Sequence, residues 1–341
     1  MRILLSFSFL SLMAIGMAAT DTEISLTHPS EKFRLGGTLT TPDNTDIPKA
    51  VLVFATGSGQ QTRDEEVFGH PIFKEISNHL AAHGYATLRM DDRGIGASEG
   101  NFAGSTTDDF AGDIAAVLAY AKDQFPNIPA GILGHSEGGT IAIKLAAADE
   151  NCSFIVTLAA PAWPGDSVIM SQARALAQTT TGTWKPESER LQRELLDICK
   201  SPLPTPLARP VFIAKMGENL GDAAALPAVQ QQISASADAM LSEWYRQSLR
   251  YNPAADISTI QVPWLALNGD RDTQVLPENL TTISELNPGA DIVILPLHNH
   301  LFQHCTSGLV TEYATISEGV SKETLSRITD WLDQKFDKND E

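Results

Sequence analysis

The chain has 341 residues, 43% of them hydrophobic and 19% charged, and its 24 Lys and Arg against 42 Asp and Glu give a formal net charge of −18. This composition is that of a globular protein and excludes a disordered or collagen-like chain. So acidic a chain also disfavours binding to nucleic acid or to anionic membrane surfaces, because both need clustered positive charge.

Residues 1–18 have the pattern of a secretory signal peptide, with one basic side chain, an apolar run over residues 3–14 and then small residues. The apolar run is shorter than the ~20 residues that a membrane-spanning helix needs. We therefore expect a secreted or periplasmic protein, cleaved near Ala18 or Ala19, that does not insert into membranes.

Alternating apolar and polar residues from Glu23 to Thr41, around Gly36 and Gly37, predict an antiparallel hairpin. Short apolar runs then alternate with helical patterns, which is typical of βαβ units in a parallel sheet. The predicted strands are Ala50 to Ala55, Ala86 to Met90, Ala130 to Leu133 and Phe154 to Ala159, and the predicted helices are Ile72 to Ala82, Phe110 to Ala121 and Thr140 to Ala148. A three-layer α/β domain follows from this order.

The alternation stops between about Trp163 and Asp256, where Pro-punctuated helical patterns predict a helical insert. The remaining predicted elements are helices at Glu187 to Lys200 and Ala223 to Arg250, a weak strand at Val211 to Ala214, strands at Val262 to Leu267 and Asp291 to Leu295, and a closing amphipathic helix at Ser321 to Phe336.

The stretch from Gly134 to Gly139 reads Gly-His-Ser-Glu-Gly-Gly, and it joins a predicted strand to a predicted helix. It matches G-x-S-x-G, in which small residues allow a strained turn and a close approach of strand and helix. Ser136 is therefore a candidate nucleophile, and the N–H of Glu137 is a candidate donor to an oxyanion. The motif alone leaves open a glycine-rich turn with an idle serine.

A serine hydroxyl is a weak nucleophile and needs a histidine base, and three histidines follow the last predicted strand: His298, His300 and His304. A zinc site built from the same three residues is the competing interpretation. We rank it lower because no carboxylate motif accompanies it. We therefore expect neither a metal nor an organic cofactor.

Three acidic residues are candidates for orienting the base. Asp270 and Asp272 follow the strand Val262 to Leu267, and Asp166 follows an earlier strand. Because Asp270 and Asp272 are two residues apart, strand alternation puts them on the same side and does not choose between them.

The strand Ala50 to Ala55 runs into Thr56-Gly57-Ser58-Gly59, and these glycines let the backbone turn its amides inward. The N–H of Ser58 is therefore our candidate for the second oxyanion donor. A plain turn is the alternative.

These motifs together resemble the α/β-hydrolase superfamily over nearly the whole chain. Within it they are similar to a branch of bacterial carboxylesterases related to the prolyl-peptidase and acyl-transferase-like hydrolases. The resemblance is carried by the Gly134 to Gly139 stretch, Gly57-Ser58-Gly59, Arg63-Asp64-Glu65, Asp91 to Gly100 and Asn299-His300-Leu301-Phe302-Gln303.

The resemblance implies an eight-stranded, mostly parallel sheet with helices on both faces, a core of residues 19–163 and 259–341, and a helical cap at residues 164–258. It favours Asp272 over Asp270 as the acid, because the family's acid lies three residues after a glycine, and it assigns the base to His300. Thr56 departs from the family, in which a histidine often precedes the glycine, but a backbone amide donor is unaffected by this change.

The expected function is that of a carboxylesterase-type serine hydrolase (EC 3.1.1), which cleaves a small-molecule ester through an acyl-enzyme on Ser136. His300 would be the base, Asp272 its orienting acid, and the N–H groups of Ser58 and Glu137 the oxyanion donors. A serine peptidase or amidase of the same fold and a non-catalytic binding protein are the alternatives.

Two expectations concern the cap. Its large apolar side chains either line an acyl pocket or form the cap's own core; they are Trp163, Trp184, Trp244, Met170, Met216, Met240 and Tyr245. Of the three cysteines, at least one must stay unpaired within a monomer, Cys152 should be buried, and a bond between Cys199 and Cys305 is predicted to tie the cap to the loop after His300.

Overall fold

The computed structural model describes residues 19–148 and 151–336. The predicted signal peptide, residues 1–18, lies outside the described residues. The strands are β1 Ala19–Thr27, β2 Arg34–Pro42, β3 Val51–Ala55, β4 Glu66–Val67, β5 His70–Pro71, β6 Ala86–Met90, β7 Ala130–His135, β8 Ile155–Leu158, β9 Trp264–Gly269 and β10 Asp291–Leu295.

The helices are α1 Ile72–Ala82, α2 Thr107–Gln124, α3 Glu137–Ala147, α4 Gly165–Thr181, α5 Pro186–Lys200, α6 Thr205–Leu220, α7 Pro227–Met240, α8 Glu243–Arg250, α9 Ala254–Thr259, α10 Glu278–Leu286, α11 Val310–Tyr313 and α12 Lys322–Phe336, with a short 3₁₀ helix at Gly221–Ala225. Across the described ranges, no helix combines the length and the apolar character needed to cross a membrane.

Eight of the described strands form one sheet in the order β1-β2-β6-β3-β7-β8-β9-β10, and β4 and β5 form a separate small hairpin. The pairs β1·β2 and β2·β6 are antiparallel, and the other pairs of the large sheet are parallel. This confirms the predicted eight-stranded, mostly parallel sheet. Since parallel neighbours end at the same edge, the loops after β3, β7, β9 and β10 all open on one side of the sheet.

Strand alternation divides the core between two faces of the sheet. On β3, for example, Val51 and Val53 join a cluster covered by α2, α3, α9 and α10, whereas Leu52 and Phe54 join a cluster covered by α1, α11 and α12. Burying each such side chain stabilises the fold by about 1.5 to 3 kcal/mol. The helices therefore lie on both faces, as expected.

The N-terminal hairpin forms, but Gly36 and Gly37 lie inside β2 and not in its turn. Packing explains their position, since a Cβ on Gly36 would lie 2.6 Å from the Cβ of Ala97. The turn is instead made by residues 28–33.

The helices α4 to α8 have a buried cluster of their own, which shares no residue with the two sheet clusters. The predicted strand Val211 to Ala214 is wrong, because these residues lie within α6. The predicted helix Ala223 to Arg250 is divided, since Pro227 starts α7 and the side chain of Ser242 caps α8 by accepting the N–H of Tyr245 at 3.3 Å.

The first and last turns of this helical group are joined to each other. The N–H of Gly165, at the start of α4, donates to the carbonyl of Tyr251, just after α8, at 3.0 Å. A Cβ at Gly165 would overlap the carbonyl oxygen of Ser248. Two chain segments that are distant in sequence therefore meet where the group enters and leaves the sheet.

All three cysteines are free thiols, so the predicted bond between Cys199 and Cys305 is wrong. Cys199 has 0% exposed surface and packs inside the cluster of the helical group, so its side chain does not face the loop after His300. Cys152 is buried, as expected for a small apolar side chain.

A close crossing between α3 and the sheet fixes the start of that helix. A Cβ on Gly138 would overlap the carbonyl oxygen of Ala55 at the end of β3, and one on Gly134 would overlap the backbone of Gly138. Only glycine allows the helix to begin this close to two strands.

We expect Gly138→Ala to lower the free energy of unfolding by about 3 kcal/mol or more, because a backbone carbonyl cannot move aside for the new methyl group. The matched control is Gly217→Ala on α6, where a Cβ would meet its nearest neighbour at 3.8 Å. This control should be stabilised by up to about 1 kcal/mol through helix propensity. Urea unfolding of both variants measures the difference, and equal stabilities would contradict the packing argument.

Candidate active site

Ser136 lies on the sharp turn between β7 and α3 with φ 53° and ψ −115°, a conformation that is strained for a residue with a side chain. Its N–H donates to the carbonyl of Leu158 on β8 at 2.8 Å, which holds the turn against the sheet. Glu137 is the first residue of α3, and the N–H of a first helical residue has no acceptor within its own helix. This N–H is therefore available to a bound anion.

The loop after β3 stands beside Ser136, because Ala55 is paired with Gly134 in the sheet. A Cβ on Gly57 would lie 3.4 Å from the Cβ of Ser136. The N–H of Gly57 itself donates to Glu65 Oε1 at 2.8 Å, so this amide is already engaged and Ser58 is the next residue along the loop. Ser58 borders the same cavity as Ser136.

The structure brings Asp272 to His300 and does not bring the other two acids there. Asp272 Oδ2 lies 2.7 Å from His300 Nδ1, and both residues are buried. The other carboxylate oxygen, Oδ1, accepts the N–H groups of Gln274 at 2.8 Å and Val275 at 3.0 Å. Asp272 is thus fixed in position with one oxygen turned to the imidazole.

The two remaining candidate acids have other partners. Asp270 is exposed, and its Oδ1 accepts the N–H of Leu297 at 2.6 Å. Asp166 lies in the first turn of α4 and pairs with Lys200.

His300 lies beside the Ser136 turn. The ring of His135, the residue before Ser136, is 4.7 Å from the ring of His300, and its Nε2 is 3.0 Å from the His300 carbonyl oxygen. With Nδ1 bound to Asp272, the free nitrogen of His300 is Nε2.

The other two histidines of the segment are not bound to Asp272. His298 is buried, with Nδ1 donating to the carbonyl of Pro296 at 2.7 Å and Nε2 at 2.6 Å from Ser321 Oγ. Ligand atoms of His298, His304 and Glu323 come within 4.8 Å of one another. Because both nitrogens of His298 already have protein partners, a metal would have to break a hydrogen bond to bind there.

The side chain of Glu137 has a role that the sequence did not reveal. Its Oε1 accepts hydrogen bonds from Thr107 Oγ1 at 2.6 Å and from Trp244 Nε1 on α8 at 2.7 Å. Burial raises the pKa of Glu137, and the hydrogen bonds from Thr107, Trp244 and Ser58 oppose the increase only in part. The residue after the serine therefore ties the helical group to the sheet.

Asp92 is a second residue that sequence reasoning missed. Its Oδ1 accepts the hydroxyl of Thr56 at 2.7 Å and its Oδ2 accepts the N–H of Gln61 at 2.8 Å, so it holds both ends of the loop that contains Ser58. Burial raises the pKa of this carboxyl group from its ordinary value of 3.8 to about 7.

A cavity of about 340 Å³ opens onto Ser136 beneath the helical group. Of the side chains expected to line an acyl pocket or the cap core, Trp163, Trp244 and Tyr245 border this cavity. The others pack in the helical group's own cluster, and they are Trp184, Met170, Met216 and Met240. The cavity is thus walled by aromatic residues next to the candidate nucleophile.

The model of the family described as serine aminopeptidase, S33, matches residues 48–291, which is most of the chain. The chain belongs to this family. It is accordingly a hydrolase of the α/β-hydrolase superfamily, as the resemblance implied. The matched range includes Ser136 and Asp272 and ends before His300.

One curated relative is a monoglyceride lipase homolog of monkeypox virus, which is 26% identical over 144 residues. That match covers 41% of this chain and 48% of the relative, so the chain spans about half of the relative's length.

Two solved structures show the same fold. An esterase of Pyrococcus furiosus has a TM-score of 0.57 at 18% identity, covering 94% of this chain and 92% of its own. Est1E of Butyrivibrio proteoclasticus, solved with ferulic acid, has a TM-score of 0.54 at 17% identity, covering 92% of this chain and 97% of its own.

We expect Asp272→Asn to lower kcat/KM by about 10³-fold or more, because an amide at this position favours the wrong tautomer of His300. Asp270→Asn is the matched control, and it should keep most of the activity because Asp270 is exposed and contacts the Leu297 backbone and the Arg271 side chain, not His300. Ester hydrolysis by the two purified variants measures the difference. A greater loss in the Asp270 variant would assign the orienting role to that residue.

Stability should depend on pH through Asp92. Between about pH 4 and pH 7 the folded protein keeps a proton on Asp92 that the unfolded chain has lost, so this group lowers the free energy of unfolding as pH rises through that window. Relative to the wild type, Asp92→Asn should therefore gain stability from pH 4 to pH 8, by at most about 4 kcal/mol. Urea unfolding at several pH values measures this, and parallel curves for the two proteins would contradict it.

Proposed function

We propose that this protein is a serine hydrolase that cleaves carboxylic esters through an acyl-enzyme on Ser136. One observation carries the proposal: a strained serine at a helix start, a buried Asp272–His300 pair and the Ser58 loop meet at one edge of the sheet, where Ser136 and Ser58 border one cavity. Each role in serine catalysis is thereby assigned to a residue at this edge.

In the proposed mechanism, His300 Nε2 accepts the hydroxyl proton of Ser136 as its oxygen attacks the ester carbonyl. Asp272 holds Nδ1 and stabilises the imidazolium. The N–H groups of Ser58 and Glu137 donate to the oxyanion, which is the largest electrostatic contribution in such sites. His300 then returns the proton to the leaving alcohol, and water attacks the acyl-enzyme by the same route to release the acid.

The charges around the cavity favour an uncharged acyl group over an aminoacyl group. The acidic residues among those that border it are Asp108 and Glu137. Asp108 pairs with Lys144 at 2.9 Å and accepts Gln247 Nε2 at 2.6 Å, and Glu137 already accepts Trp244 and Thr107. An ammonium group would therefore compete with existing partners for either carboxylate. The description of the family as a serine aminopeptidase favours a peptidase. The engaged carboxylates of Asp108 and Glu137 are the stronger argument, and they favour an esterase.

We expect fluorophosphonate to label the wild type and Ser136→Ala to lose both labelling and ester turnover, the latter by about 10⁴-fold or more. Ser258→Ala, which changes an exposed serine on α9, is the matched control and should behave as the wild type. p-Nitrophenyl esters and aminoacyl anilides should be compared on the same preparation. Normal labelling of Ser136→Ala would contradict the nucleophile, and faster anilide cleavage would make the protein a peptidase.

A further inference from the structure

Two buried residues outside the proposed triad connect the loop of Ser58 to the loop of His300. Glu65 Oε1 accepts the N–H of Gly57 at 2.8 Å and also contacts His135 Nδ1 at 2.8 Å. The opposite nitrogen of the same ring, His135 Nε2, lies 3.0 Å from the His300 carbonyl oxygen. Glu65 and His135 are 1% and 2% exposed, so water does not compete for these hydrogen bonds.

The partners of the His135 ring define its protonation. A carboxylate and a carbonyl oxygen are both acceptors, so the ring satisfies both only by donating from both nitrogens, as an imidazolium. Burial alone would lower the pKa of His135, but the neighbouring Glu65 carboxylate and the two hydrogen bonds outweigh it and raise the pKa. The pair is thus a second carboxylate–imidazole couple beside Asp272–His300.

The backbone around this couple is constrained at both ends. Glu65 has φ 45°, a left-handed conformation that costs energy for a residue with a side chain. A Cβ on Gly57 would lie 2.7 Å from Glu65 Oε1, so the loop approaches the carboxylate as closely as glycine permits. His135 is joined directly to Ser136. The couple therefore contacts the oxyanion loop and the loop of the base, and one of its two members, His135, precedes the nucleophile in the chain.

We propose that Glu65 and His135 are positioning residues, which set the distance between the oxyanion donors on one side of Ser136 and His300 on the other. This proposal rests on the proposed function, because it concerns the same site. A misplacement of about 1 Å in such an arrangement costs on the order of 10²-fold in rate.

Two substitutions of His135 separate the two ends of the link. An Asn side-chain amide reaches about as far as Nδ1 and keeps the donor to Glu65, whereas a Gln amide reaches about as far as Nε2 and keeps the donor to the His300 carbonyl. We expect His135→Asn to lower kcat by about 10²-fold and His135→Gln by about 10-fold, with KM changed less than about threefold in both because the cavity walls are untouched. Ester turnover is measured per site titrated with fluorophosphonate.

The control for general destabilisation is Thr87→Val. It removes a buried hydrogen bond of 2.6 Å between Ser77 and Thr87, which lie on α1 and β6. This variant should lower Tm and leave kcat per titrated site unchanged. If the His135 variants also keep wild-type kcat, or if their kcat simply follows Tm, the couple is structural and the proposal is wrong.

A spectroscopic measurement on the wild type is independent of whether the variants fold. In protein labelled with ¹⁵N-histidine near pH 7.5, His135 should show the ¹⁵N shifts of a doubly protonated ring. The signals of His135 are assigned by their absence from the spectrum of His135→Gln. A singly protonated His135 would break one end of the link and overturn the proposal.

The same assays distinguish the two proposals. A wild type that neither reacts with fluorophosphonate nor turns over esters removes the proposed function, and the positioning role falls with it. A wild type that is active while both His135 variants match it removes the positioning role alone.

Discussion

The start of α3 lies so close to the ends of β3 and β7 that Gly138 has no room for a side chain against the carbonyl of Ala55. The position of the candidate nucleophile depends on this contact. It forces the sharp turn at Ser136, aims the first N–H of the helix out of the sheet edge, and brings the nucleophile level with the loop after β3. The strain at Ser136 is sustained because the sheet and the helix are both anchored in buried clusters.

Around this turn, each buried carboxyl group has a hydrogen-bonding partner. Asp272 with His300 and Glu65 with His135 each place a carboxylate against an imidazole, and Glu137 is held by Trp244 from above. An isolated buried charge would cost several kcal/mol, whereas each of these groups has a partner within hydrogen-bonding distance. The polar network is therefore part of what keeps the edge of the sheet in a single arrangement.

The sequence predicted what is local and not what depends on distant contacts. The spacing of glycines around Ser136 and the periodicity of α1, β6 and β10 are local patterns, and they predicted the strand-to-helix turn at Ser136 and these three elements. The link from Glu65 to His135 joins residues 70 positions apart, and the bond from Trp244 to Glu137 depends on how the helical group docks. Cys199 shows the same limit, because its burial inside that group could not be inferred from helical spacing.

The helical group from α4 to α8 is inserted between β8 and β9, which are neighbours in the sheet. A hydrogen bond between Gly165 and Tyr251 joins its two ends. Its buried cluster shares no residue with those of the sheet. Substitutions inside this cluster can therefore change the roof of the cavity without changing the packing of the sheet, and they reach the catalytic edge through Trp244, whose indole N–H donates to Glu137. One segment of the chain, from Gly165 to Tyr251, thus supplies the roof under which a substrate would lie.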